Sequence, residues 1–144
     1  MGARYTAGKT GTAMVAATDM LTITAPAGRS LKIWAVRLYG EGTASAANEV
    51  GVFRSTSGVT PVAATPTPVN ADSTAATFTV ATAWTTQPTL GAQVSRIGVN
   101  SNGSTVQQVY PPGQEIDVPG GGQISIRPVT GTGVIAVECL VEQI

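Results

Sequence analysis

The sequence predicts an all-β protein built as an antiparallel sandwich of two sheets, and three observations lead there. Short runs alternate strictly between apolar and polar residues. In Gln114–Val118, Ile116 and Val118 point one way and Glu115 and Asp117 the other; in Gln123–Arg127, Ile124 and Ile126 oppose Ser125 and Arg127. Turn chemistry punctuates the chain: Pro119-Gly120-Gly121-Gly122 separates those two runs, because Pro cannot donate to a ladder and Gly accepts positive φ. No convincing helix is present. Eight to ten short strands at regular spacing favour a jelly roll over other all-β forms.

The elements follow in order. Residues Met1–Thr12 (MGARYTAGKTGT) are small, polar and Gly-punctuated, and read as an extended N-terminal arm or a weak first strand. Arg4, Tyr5 and Lys9 are what such an arm would offer a partner. Met20–Thr24 forms a short strand, and Pro26-Ala27-Gly28 a turn. Arg29–Tyr39 (RSLKIWAVRLY) is the longest apolar strand. Strict alternation puts Leu31, Ile33 and Ala35 on one face, and Trp34, Val36 and Leu38 on the other. A strand apolar on both faces is buried between layers or packed on another subunit. Trp34 is expected in the core. Glu49–Ser55 is the next strand.

The composition then shifts. Thr56–Gln87 is rich in Thr, Ala, Ser and Pro, with Asp72 its only charge. It reads as a long surface loop, free or held by a neighbour, with a β segment around Phe78 and Val80. Trp84 belongs against something, because an indole in a polar loop packs. Gln93–Val99 and Thr105–Tyr110 flank the hairpin signal Asn100-Ser101-Asn102-Gly103. The last strand, Val134–Val141, sets Ile135, Val137, Cys139 and Val141 on a core face. Val134, Ala136 and Leu140 on its other face point to a covered surface. Residues 1–12 are thus the arm, and 13–144 one sandwich domain with a long loop at 56–87.

Length and composition restrict the function. A chain of 144 residues fits one domain that needs no disulfide staple. Cys139 stands alone and reads as a small buried hydrophobe. Eight basic and eight acidic residues balance, and no histidine occurs. That is no nucleic-acid surface. Charged residues are 11% of the chain, less than half the usual share of about 25%, so partners are expected to cover part of the surface. No apolar run approaches the roughly 18–20 residues of a membrane span, and no signal peptide is expected.

The sequence offers few groups for chemistry. Without histidine, and with one core cysteine, the usual triads, thiol sites and His/Cys metal sites are missing. The eight acids are dispersed and nominate no glycosidase pair, and no calcium loop is spaced for. No cofactor is expected, and no enzyme. Gly8-Lys9-Thr10 echoes the end of a P-loop, but Ala3 stands where its first Gly belongs. Trp84 and Tyr110 are the surface aromatics a sugar could stack on, so a carbohydrate-binding jelly roll is the rival reading.

From Ala83 to Pro128 the run AWTTQPTLGAQVSRIGVNSNGSTVQQVYPPGQEIDVPGGGQISIRP resembles small virion proteins of tailed bacteriophages. The shared pattern is V-x-R-S-T at Val52–Thr56, a Thr/Ala/Pro loop, Y-P-P-G at Tyr110–Gly113, and I-x-V-P-x-G-G-x-I-S-I-R-P at Ile116–Pro128. It covers roughly Val50 to the C-terminus and consists of turn and strand patterns. The resemblance implies a TNF-like jelly roll that forms a homotrimer and decorates, or cements, the outer surface of a phage head. It implies the major capsid protein as partner, the virion as location, and synthesis in the host bacterial cytoplasm. A tail, fibre or head-spike component is the neighbouring alternative. No motif fixes the contact residues; Arg4, Tyr5, Lys9, Trp84 and Tyr110 are the candidates.

Overall fold

The computed structural model describes residues 2–144, and Met1, the first residue of the expected arm, lies outside them. Twelve strands follow one another: β1 Ala3–Ala13, β2 Leu21–Thr24, β3 Leu31–Glu41, β4 Ala47–Thr56, β5 Val59–Ala64, β6 Thr67–Pro68, β7 Thr79–Thr86, β8 Thr89–Asn100, β9 Asn102–Val109, β10 Ile116–Val118, β11 Gln123–Thr130 and β12 Val134–Gln143. All pairings are antiparallel. Sheet I runs β10–β3–β12–β1–β6, with β9 beside β3 next to β10, and sheet II runs β5–β7–β2–β11–β4–β8. The two sheets form a sandwich. One continuous core lies between them, built on sheet I from Tyr5, Leu31, Ile33, Leu38 and Ile135, and on sheet II from Leu21, Ile23, Val50, Val52, Ile124 and Ile126.

Residues 3–13 are no free arm. β1 sits inside sheet I, paired to β12 from Ala3↔Gln143 to Ala13↔Val134. Tyr5 and Ala7 alternate inward there, and their burial holds the strand down. The long loop at 56–87 is largely strand. Thr is a good β former, and Pro61 is tolerated because β5 is an edge. The segment before β7 is tied to sheet I: Gln143 Oε1 accepts from Thr77 N–H at 2.8 Å. Phe78 and Val80, read from the sequence only as the centre of a β segment, enter the core.

The longest apolar strand carries the main surprise. The β3–β12 register shifts between Ala35↔Leu140 and Ile33↔Val141, which leaves Trp34 as an extra residue on β3. Leu31 and Ile33 face the core before this bulge, and Val36 and Leu38 after it. The strand therefore has one apolar face whose parity switches, where strict alternation reads two.

Candidate functional site

The candidate sites are the two outer faces of the sandwich. On sheet II, core-facing Leu21, Ile23, Ile124, Ile126, Val50 and Val52 leave Thr22, Ser125, Arg127 and Ser55 pointing outward. These four are nonetheless buried, as is Asp19 just before β2. Asp19 is the hub. Its carboxylate accepts from Thr22 Oγ1 and Ser125 Oγ, both at 2.5 Å, and from Arg127 Nε at 2.7 Å. Ser125 has one proton and gives it to the carboxylate, so the Ser55 hydroxyl 2.7 Å away donates to Ser125 and accepts from Gln123 Nε2 at 3.0 Å. The Arg127 side chain is 10% exposed and that of Asp19 1%.

The lid on this network is the end of β7 with its turn into β8. Trp84 Nε1 donates to Thr22 Oγ1 at 2.9 Å, Gln87 Oε1 accepts from Asp19 N–H at 2.9 Å, and Arg127 Nη2 donates to Pro88 O at 3.0 Å. Gly58, at φ +108°, lets the chain pass against the indole, where a Cβ would lie 2.7 Å from the ring. No fully buried side-chain N or O atom of this network lacks a partner among the described residues, so this is a closed clasp that binds the chain to itself.

The outer face of sheet I is open. Arg4 and Trp34 meet there, with the guanidinium carbon 5.3 Å from the ring centroid. β12 lies between their strands, so the pair spans its outer side, on which Leu140 is only 4% exposed. Register sets Arg4 opposite Glu142, Glu142 opposite Lys32 and Lys32 opposite Asp117, a row of alternating charge across four strands. Further along, Arg37 pairs with Glu138 at 2.8 Å. A shallow depression of about 310 Å³ lies beside it, floored by Gly8 and Ala136 and walled by Lys9, Tyr39, Glu41 and Glu138. Its charged groups are already engaged. Lys9 Nζ donates to Thr82 O at 2.9 Å, and Glu41 Oε2 accepts from Gly11 N–H at 3.0 Å.

The five candidate residues are not brought together. Arg4 is exposed on sheet I. Tyr5 points the other way: fully buried, it donates its hydroxyl to Thr74 O at 2.7 Å and meets Phe78 edge-on at 5.4 Å. It anchors the core rather than presenting itself to a partner. Lys9 reaches toward β7. Trp84 closes the sheet II clasp. Tyr110 packs against the core, and its hydroxyl is buried without a hydrogen-bond partner in good geometry among the described residues. Burial raises the pKa of that hydroxyl above its ordinary value near 10; Ser95 lies close enough to offset part of the shift but outside hydrogen-bonding geometry.

Trp34 is the residue sequence reasoning misplaced. It lies on the outer face of sheet I, half-buried, with its Nε1 unpartnered among the described residues. Cys139 is buried and its thiol is pushed well up by desolvation, with the Glu138 charge adding to the effect. Among the described residues, no three or more His, Cys, Asp or Glu side chains gather to hold a metal. No protein-family model, curated protein or solved structure matches this chain.

Proposed function

We propose that this chain is a jelly-roll structural protein, with no enzymatic activity, that decorates the outer surface of an assembled phage head as a homotrimer bound to the major capsid protein. The strand order carries this reading. Take the eight main strands in chain order as β1, β2, β3, β4, β8, β9 with β10, β11 and β12. Sheet I then sets first, eighth, third and sixth side by side, and sheet II second, seventh, fourth and fifth. That order supports the jelly-roll reading, a sheet pair rolled from two Greek keys. The sequence elements that resemble phage virion proteins fall at turns: Tyr110-Pro111-Pro112-Gly113 follows β9, and Pro119–Gly122 joins β10 to β11.

The burial pattern moves the expected contact surface. The apolar outward residues of β12 that pointed to subunit contact are largely covered within the chain, with Ala136 6% and Leu140 4% exposed. The sugar-stacking alternative loses its platforms, because Trp84 is bonded to Thr22 and Tyr110 packs on the core. The test is cosedimentation of the purified protein with heads of the encoding phage stripped of it, beside light scattering of the protein alone. Saturable binding to assembled heads, none to free shell subunits, and a native mass three times 14.5 kDa are expected. Binding to tails alone, or to nothing in the virion, overturns the reading.

A further inference from the structure

We propose that the free edge of β9 is a self-association strand, on which a second copy of this chain pairs its own β9 antiparallel about a two-fold axis at Gln107. Tyr110 N–H donates to Trp34 O at 2.9 Å. The β3–β9 register runs unbroken from Ala35↔Val109 to Tyr39↔Thr105. Bonded and non-bonded pairs alternate along an antiparallel ladder. Val106 and Gln108 therefore bond to β3, while Thr105, Gln107 and Val109 direct their N–H and C=O groups away from the sheet. All three residues are exposed, Val109 at 44%. Such a row is a template for another strand.

The other edges are blunted. β6 is two residues long and ends in Pro68; beyond it, β1 is bulged between Lys9 and Thr12. β5 carries Pro61 and a positive φ of 50° at Thr60. β8 breaks register twice against β4 and carries Arg96. β10 is three residues long and carries Asp117. β9 has no proline and no charge, and no bulge along the stretch that faces outward.

A second copy fits this edge for a reason of charge. A two-fold axis sets residues against their own copies, so any charge there would face a like charge nearby. The chain carries none from Ile97 to Gln114. With the axis at Gln107, Thr105 faces Val109 of the second copy, and Gln107 faces its own copy. Gln107 Oε1 already accepts from Arg37 Nε at 3.0 Å, and the Arg37 charge is paired with Glu138. This leaves the Gln107 Nε2 donors and the second lone pair of Oε1 to meet the same groups of the other amide. One strand pair falls short of the roughly 1,200–2,000 Å² of stable interfaces, so the association is weak and concentration-dependent. It does not rest on the phage-head reading, and its test contains no capsid.

Sedimentation velocity of the full chain over a range of concentrations tests the proposal, with Gln107→Pro as the variant. Proline at 107 removes an outward donor, leaves the β3 ladder its bonds, and sits on an edge that tolerates it. The wild type is expected to double the mass of whatever unit it forms when dilute, and Gln107→Pro to weaken this at least ten-fold. Gln107→Cys gives a second readout. The two-fold brings its two Cα atoms to about 5.5 Å, inside the disulfide range of about 4.4–6.8 Å, so mild oxidation yields a covalent dimer. Thr105→Cys, whose copies lie about 13 Å apart along the strands, does so far more slowly. No doubling at any concentration, undiminished doubling in Gln107→Pro, or equal crosslinking by both cysteines overturns the proposal. Association that needs a second protein and is lost in Gln107→Pro also overturns it, and assigns the edge to a foreign strand.

Discussion

The two outer faces of the sandwich solve the same problem differently. Each sheet must do something with the side that does not face the core. Sheet II folds its own β7–β8 turn over that side and fills the space with a bonded network around Asp19 and Arg127. Sheet I leaves its side open and covers only its centre, with one indole and one guanidinium. The difference shows how a chain with 11% charged residues distributes them. One ion pair is buried and holds the fold, whereas the Arg37–Glu138 pair is about one-third exposed on each side. Coulomb attraction alone does not separate these pairs; desolvation does. A buried charge that loses its partner cannot recover its hydration.

The largest effect is expected at the clasp. Asp19→Ala leaves Arg127 buried and unpaired, and should cost about 3–5 kcal/mol in urea unfolding. A loss below about 1 kcal/mol would mean that the sheet II face is as wet as that of sheet I. Next, Leu140→Ala should cost about 2–3 kcal/mol if the Arg4–Trp34 pair truly covers it. A negligible loss would make the sheet I face plain solvent surface.

The inner side of the same strand gives a pH test. Burial raises the Cys139 thiol, so above its ordinary value near 9 the unfolded chain releases this proton while the folded chain keeps it. The thiol's contribution to stability is therefore full below about pH 9, and declines by up to about 1.4 kcal/mol per pH unit above it. Cys139→Ala should remove that part of the slope, and thiol reagents should label the wild type only on unfolding. The smallest effect belongs to Glu138→Ala. An exposed pair is worth about 0–1 kcal/mol, and a cost near that of Asp19→Ala would erase the contrast between the faces.

Some elements were legible in the sequence, and others were hidden for definite reasons. The alternation of Ile124 with Ser125 and Ile126 with Arg127, the turn at Pro119–Gly122 and the core face of Ile135, Val137, Cys139 and Val141 all stand as read. The β3 bulge was hidden because period-two reasoning assumes constant parity. A single inserted residue, Trp34, sent Val36 and Leu38 inward and the indole outward. β5 was hidden because Thr/Ala/Pro composition describes an exposed edge strand as well as it describes a loop. The clasp had no signal in the sequence. Asp19 and Arg127 stand 108 positions apart, and each looks like ordinary polar punctuation beside its own strand.

The sequence by itself determined the local grammar: strand-forming runs, the turns that separate them and the inward side of most strands. Those follow from backbone sterics and from water rejecting apolar surface, which act over a few residues at a time. Only the tertiary structure decided which outward polar groups would be buried, which edge would stay free, and which aromatic would lie outside. These depend on strands distant in the chain coming into register, and a hydrogen bond or a lost hydration shell is defined only once both partners are in place.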